Sequence, residues 1–340
     1  MSIRQSNKTT GGWCVTPLLA CRRVWGMVVA VAPLWMGAAG LSEAAVRDVV
    51  IADVSTRAFS VIWVSDQPVT DTTVRVYADG NGSSDLTPEL TVEVTSALIP
   101  SAHDLGIVKV DVWGLQASTT YFVETETDGL VYPASGPLLE VTTAAAATAA
   151  NLDGTPIAND LLIHDLLAPD GGAPANGALL VLKVPSLSQY PLTAFVADGV
   201  AAPGTVVDLS NLVSDATGTN AQVTGGTVIE ISEYRGLLCT NLDDQKLVRL
   251  RRAPDHEETP AISEAEVPST CFAPGGTAAD FNCDGAVNPV DFNEFLIKFG
   301  LSNNGAVPDC RFNPDFDLAP DGQIDPVDFN EFLIVFGTTE

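Results

Sequence analysis

Asp280, Asn282, Asp284, Asn288 and Asp291 fall at positions 1, 3, 5, 9 and 12 of a twelve-residue stretch with Gly285 at position 6. A hard divalent cation takes roughly six to eight oxygen ligands, and short oxygen-bearing side chains at this alternation surround one point. Gly285 permits the sharp turn, and the Ala286 carbonyl at position 7 adds a main-chain ligand. The same residues also suit a helix start, with Asn288 as N-cap, Pro289 in the first turn and Asp291 two residues on. Capping gives no reason for Asp280, Asn282 and Asp284 to alternate beside a glycine. The pattern therefore reads as calcium chemistry.

The loop leads into PVDFNEFLIKFG from position 289, which returns as PVDFNEFLIVFG from position 326, differing only at Lys298 and Val335. This is an internal duplication. A second acidic loop precedes the second copy, and two registers fit it. Aligning DFD at 315–317 on DFN at 280–282 gives an enlarged loop with Asp315, Asp317, Asp321, Gln323, Asp325 and Asp328 as ligands. Starting at Asp317 instead places Ala319 at position 3, where it offers no side-chain oxygen. The first register is preferred for its copied motif, and in either one the second site is the weaker.

At about 100° per residue, Phe292, Phe295, Leu296 and Phe299 gather on one helix face and form the expected core between the two helices. Val290 and Ile297 lie nearly opposite, and Val327 and Ile334 repeat them. A second apolar stripe on so small a module reads as a docking surface for a protein partner. An acidic loop with one exiting helix, present twice and closed by Asp, resembles a dockerin domain over residues 279–340. The resemblance implies two Ca²⁺ sites and a cohesin-like or surface-receptor partner contacted near Val290, Ile297, Val327 and Ile334. Pro-Val stands where that family carries its Ser/Thr pair. Val287 is expected to pair with its counterpart in the other loop. So acidic a segment is expected to fold only when metal neutralises it.

Residues 1–44 read as a secretory signal, with a basic leader, an apolar run at 24–39 and an A-x-A-like close at Ala44. They carry four of the 16 basic side chains and one of the 43 acidic ones, leaving 12 against 42, a net charge of −30. That surface repels nucleic acid and anionic lipid, and no later run is long and apolar enough to insert in a membrane. Cys239, Cys271, Cys283 and Cys310 remain, an even number in an exported chain, and read as two disulfides. Three pairings exist. The local ones, Cys239–Cys271 and Cys283–Cys310, are favoured.

The rest of the chain must carry this module. Between 46 and 143, alternating runs at 58–64, 72–78, 90–95, 107–113 and 120–127 are split by turn residues and predict a β-sandwich. Trp63, the LQASTTYFV string ending in the Tyr121 corner, and VTT at 141–143 resemble a fibronectin type III domain. The resemblance implies that Trp63 and Tyr121 are core residues. An alanine-rich joint at 144–152 leads to strands expected at 161–167, 177–184, 192–197, 206–209, 227–232 and 246–251. The PDGGAPANGALLVL stretch from 169 resembles a carboxypeptidase-regulatory-like sandwich. Arg249, Arg251 and Arg252 read as a solvated strand end, and 253–278 as a flexible tether. The fold class is thus mainly β, two tandem immunoglobulin- or fibronectin-like sandwiches followed by a small helical calcium module.

No nucleophile elbow, zinc-binding helix or phosphate-cradling glycine loop is present, and His103, His164 and His256 sit in unrelated contexts. An enzyme is not expected. The leading reading is an exported, secreted or surface-bound docking protein, attached to a scaffold or to a polysaccharide-degrading assembly. The competing reading is a carbohydrate-binding or adhesive protein, or a glycoside hydrolase accessory, whose second sandwich holds the ligand.

Overall fold

The computed structural model describes residues 45–145, 160–164, 175–196, 204–252 (less 219, 222, 225 and 240–245), 279–304 and 309–339. The expected signal segment, most of the alanine-rich joint and the tether lie outside these residues. No described helix is long and apolar enough to cross a membrane.

The first sandwich comprises β1 (Val46–Ala52), β2 (Ala58–Ser65), β3 (Thr72–Tyr77), β4 (Thr91–Glu93), β5 (Ile107–Trp113), β6 (Thr120–Thr127), β7 (Leu130–Tyr132) and β8 (Leu139–Thr142). One helical turn, α1 (Pro100–Asp104), precedes β5. The strands form an antiparallel sheet β1-β2-β5-β4 and a second sheet β3-β6-β7 in which β8 also pairs with β6. Phe59, Val61 and Trp63 of β2 meet Val74, Val76, Tyr121 and Val123 of the facing sheet in a closed core. Trp63 Nε1 donates to Thr127 Oγ1 at 2.8 Å, and the Tyr121 hydroxyl accepts from Gln116 N at 2.9 Å. Both large side chains are thus buried with their polar ends satisfied. β1 lies outside the expected strand set because its register shifts between Arg47 and Val50, with Asp48 at φ 50°, which breaks the alternation.

The second sandwich comprises β9 (Asp160–His164), β10 (Leu179–Lys183), β11 (Leu192–Phe195), β12 (Gly204–Asp208), β13 (Val228–Tyr234) and β14 (Lys246–Arg252). The sheet β11-β10-β13-β14 covers the pair β12-β9. Leu180 and Leu182 of β10 enter this core with Ile229, Ile231 and Val207.

The other face of β10 explains why its first four residues, LLVL, are all apolar. Leu179 and Val181 join Phe195 and Tyr234 in a cluster with Ile62, Val64, Ala102 and Ile107 of the first sandwich. β2 and β10 are therefore buried on both faces, and in them alternation gives way to near-continuous hydrophobicity. A polar seam edges this contact. Asp53 accepts from Thr193 N at 2.8 Å and from the Thr193 hydroxyl, and it pairs with Lys109 Nζ at 2.9 Å. Burial pulls the Lys109 ammonium down, and the carboxylates of Asp53 and Asp111 more than offset it, leaving its pKa raised. Asp53 N also donates to the Pro191 carbonyl at 2.8 Å. The sandwiches are packed together.

Gly236 shows how close the approach is. Its φ is +50°, and a Cβ there would strike the Leu105 carbonyl across the interface. Gly226 also has a left-handed φ, +79°, with nothing within 4 Å. Gly226→Ala is expected to cost about 1–2 kcal/mol from backbone strain alone. Gly236→Ala should cost clearly more and lower the denaturation midpoint of both sandwiches together, as followed by fluorescence of Trp63 and Trp113 in the first and by hydrogen exchange of the β10 amides in the second.

Candidate functional site

The C-terminal module holds α2 (Pro289–Lys298) and α3 (Pro326–Val335). Asn288 caps α2 by accepting from Val290 N at 2.8 Å, and Asp325 caps α3 by accepting from Val327 N at 2.6 Å. In return Asp291 accepts from Asn288 N at 2.8 Å, and Asp328 from Asp325 N at 2.7 Å, which completes a capping box at each helix.

The first loop is drawn around its own carboxylates. Asp280 accepts from Asp284 N at 3.1 Å and Gly285 N at 2.9 Å. Asp291 reaches back to Phe281 N at 2.8 Å and Asn282 N at 3.3 Å. Asp284 accepts from the side-chain amides of Asn282 and Asn288 and from Ala286 N at 2.9 Å. Oxygens of Asp280, Asp284 and Asp291 all lie within 4.8 Å of one another. Asp280 is 3% exposed and Asp291 0%. No Lys or Arg pairs with any of the three among the described residues, and clustered buried carboxylates are costly without a cation. Burial is the main cause that holds the Asp280 carboxyl above its ordinary range; Asp291 and Asp284 add to it, while backbone donors oppose it. The donor set fits a hard divalent ion.

The second loop repeats most of the main-chain bonds of this pattern at the helix offset. Asp317 accepts from Asp321 N at 3.1 Å and Gly322 N at 2.7 Å, and Asp328 from Ala319 N at 2.9 Å. The loop therefore begins at Asp317, with Ala319 at position 3, Gln323 at position 7 and Asp325 at position 9. The register starting at Asp315 is corrected by this geometry. Asp315 leaves the loop altogether, because Arg251 of β14 grips both of its carboxylate oxygens. Burial likewise pushes the Asp317 carboxyl up.

The exposed strand end expected at Arg249, Arg251 and Arg252 is corrected at the same place. Arg251 is buried in its pair with Asp315, and Arg249 lies 3.8 Å from the buried Glu233. The favoured disulfides are also overturned. Cys239 bonds Cys310, with Cα atoms 5.7 Å apart, and ties the second sandwich to the module. Cys283 is disulfide-bonded as well and so is not open to Cys310. Cys271 lies outside the described residues. Cys239 and Cys310 are 71 positions apart in the chain, a separation that a preference for local pairing passes over.

The two loops do not pair with each other. Val287 N donates to the Thr338 carbonyl at 2.9 Å, and Gly337 N donates to the Val287 carbonyl at 2.8 Å. Ile324 makes the equivalent pair with Leu301 and Gly300 at 2.9 and 2.7 Å. Each loop thus bonds to the segment that leaves the other helix. The cores cross in the same way, with Phe295 of α2 beside Ile324 and Phe332 of α3 beside Val287. Phe281 stacks on Phe316 at 4.0 Å between them.

This exchange uses fewer helix residues than the expected core. Phe295 and Phe332 are sealed and Phe292 is half-buried, but Leu296 and Phe299 are exposed, as are Leu333 and Phe336. The opposite stripe is also open, with Val290 at 51%, Ile297 at 68%, Val327 at 50% and Ile334 at 72%. It does not pack on the sandwich.

Fold and site together define a mainly β chain of stacked sandwiches ending in a duplicated acidic loop–helix module. No family model and no curated protein matches the chain. Among solved structures it is similar to a type II cohesin–X–dockerin complex from Acetivibrio cellulolyticus, at 16% identity and a TM-score of 0.21. That match covers 53% of this chain and 97% of the other. It is also similar to the ectodomain of mouse nectin-like molecule 4, at 7% identity over 64% and 65% of the two chains, with a TM-score of 0.17. At these scores neither likeness adds to what the sheets and cores themselves show.

Because Phe295 and Phe332 occupy equivalent sealed positions, truncating either to Ala is expected to cost about 3–5 kcal/mol, enough to unfold the module. Leu296→Ala and Leu333→Ala should stay within about 0.5 kcal/mol, as exposed substitutions do. Urea denaturation followed by helical circular dichroism separates the two cases.

Proposed function

We propose that this is an exported, non-catalytic protein whose calcium-stabilised, dockerin-like tail docks to a protein partner. The observation that carries this reading is the division of each helix into a sealed side and an open apolar side. Phe295 and Phe332 supply the module's core, so Val290, Ile297, Val327 and Ile334 are not needed for folding. Two equivalent apolar stripes left in water have a cost that a partner would remove. The tail is anchored through its other parts, Cys310 and Asp315, which leaves the stripes free. The disulfide suits an oxidising compartment and so supports export.

Calcium enters through the donors. Asp280, Asn282, Asp284, Asn288 and Asp291, with the Ala286 carbonyl, would hold one ion. Asp317, Asp321, Asp325 and Asp328, with the Gln323 carbonyl, would hold the second and weaker one. An ion at each site supplies positive charge to carboxylates that have no other cation among the described residues, and it closes the loop that starts each helix. Chelating calcium from the chain that begins at Ala45 should therefore melt α2 and α3 and leave the sandwich transition in place. A helical circular dichroism signal that chelator does not change would count against the reading.

Docking is tested on the same chain, immobilised with calcium and offered secreted and surface-associated proteins of the producing cell. One partner should be retained in calcium and released by chelator. Val290→Asp combined with Val327→Asp should weaken retention at least about tenfold, since buried apolar anchors carry most interface energy. Leu98→Asp, an exposed apolar site on the first sandwich, should not. Equal retention by all three chains would remove the stripes from the interface.

A further inference from the structure

The tail is fixed to the second sandwich at two nearby points, Cys310 through Cys239 and Asp315 through Arg251. Arg251 lies on β14 and is buried. Its Nη1 donates to Asp315 Oδ2 at 2.8 Å and its Nη2 to Asp315 Oδ1 at 2.5 Å. A bidentate guanidinium–carboxylate pair fixes orientation as well as distance. Around it the chain is stiffened further. The Asn313 side chain accepts from Asp315 N at 3.1 Å, and the neighbouring Phe316 stacks on Phe281. Two residues beyond Asp315, Asp317 opens the second loop.

The carboxylates of both loops take their described hydrogen bonds from within the loop. The loops differ in the oxygens they offer. The second has Ala319 where the first has Asn282, one side-chain oxygen fewer. With fewer donors, affinity depends more on how well the remaining ones are held in place before the ion arrives.

We infer that Arg251 is a positioning residue for the second calcium loop: by clamping Asp315 it holds Asp317 in its ligating place. The second sandwich thereby sets calcium affinity in the tail. By reciprocity, calcium in that loop tightens the tail on the sandwich. This rests on the calcium reading proposed above.

The test is calorimetric calcium titration of the full chain beside Arg251→Met and Asp315→Asn, with hydrogen exchange at the Asp321 and Gly322 amides followed in parallel. The parent chain should show two sites. Both variants should raise the Kd of the weaker site about tenfold or more, the scale on which lost outer-shell partners act. They should leave the stronger site unchanged and speed exchange at Asp321 and Gly322 even without calcium. Asp315→Glu, which keeps a carboxylate for Arg251, should restore much of the affinity. An unchanged weaker site in both variants overturns the inference and leaves the calcium reading standing. Equal weakening of both sites also overturns it, since Arg251 would then support the module as a whole. A parent chain that takes up no calcium overturns the calcium reading and this inference with it.

Discussion

Each acidic loop closes on the carboxylate at its twelfth position. Asp291 and Asp328 lie almost wholly out of water, and each binds backbone N–H groups from both ends of its loop. One oxygen completes the capping box at the start of the helix, and the other draws in the beginning of the loop. A side chain without a carbonyl oxygen at that position would undo both at once, and asparagine would keep only one of the two. The two demands fix an aspartate there: its reach suits a third-position cap, and its charge strengthens two hydrogen bonds. Everything the helices present outward depends on this closure, because the loops set where each helix starts and how it is turned.

The closure also settles how the duplicated halves meet. Each loop bonds to the strand-like segment after the opposite helix, so neither half is complete alone. Phe295 needs Ile324, and Phe332 needs Val287. Such an exchange gives a very small module one joined core, the constraint under which short domains usually need metals or disulfides. The disulfide to Cys239 and the Arg251–Asp315 pair add a third source of support, drawn from the neighbouring sandwich. Both attach ahead of the second loop, the half with the poorer donor set.

What the sequence discloses follows from which forces are local. The near-identity of 289–300 and 326–337 announces two equivalent helices, and Asn288 and Asp325 mark where they begin. Capping is settled within four residues, so it is legible. The sandwich core around Val74, Val76, Tyr121 and Val123 is legible for a similar reason, since the period-two alternation of β3 and β6 reports strands with one wet face. The register of the second loop is not. DFD at 315–317 imitates DFN at 280–282, and only the distant Arg251 shows that Asp315 belongs to another interaction. The Cys239–Cys310 bond, the burial of Arg251 against Asp315, and the crossing of Val287 to Thr338 all join parts remote in the chain. The apolar runs of β2 and β10 carried a further signal, namely that each strand is covered on both faces. A reading in terms of separate tandem sandwiches has no place for that second cover.

Stacked inner sheets change what the sandwiches can contribute. A flexible spacer would let the tail sample many directions, whereas a face-to-face contact built on Ile62, Val64, Leu179 and Val181 removes that freedom. The Asp53–Lys109 seam adds direction to it, because a charged pair with several hydrogen bonds tolerates little sliding. The tail is then clamped to the second sandwich rather than trailing from it. An apolar stripe on a rigid mount binds with less ordering cost than the same stripe on a loose one. The continuous burial of β10 and the open helix faces more than a hundred residues later thus belong to one arrangement: the sandwiches hold the stripe still, and the acidic loops aim it.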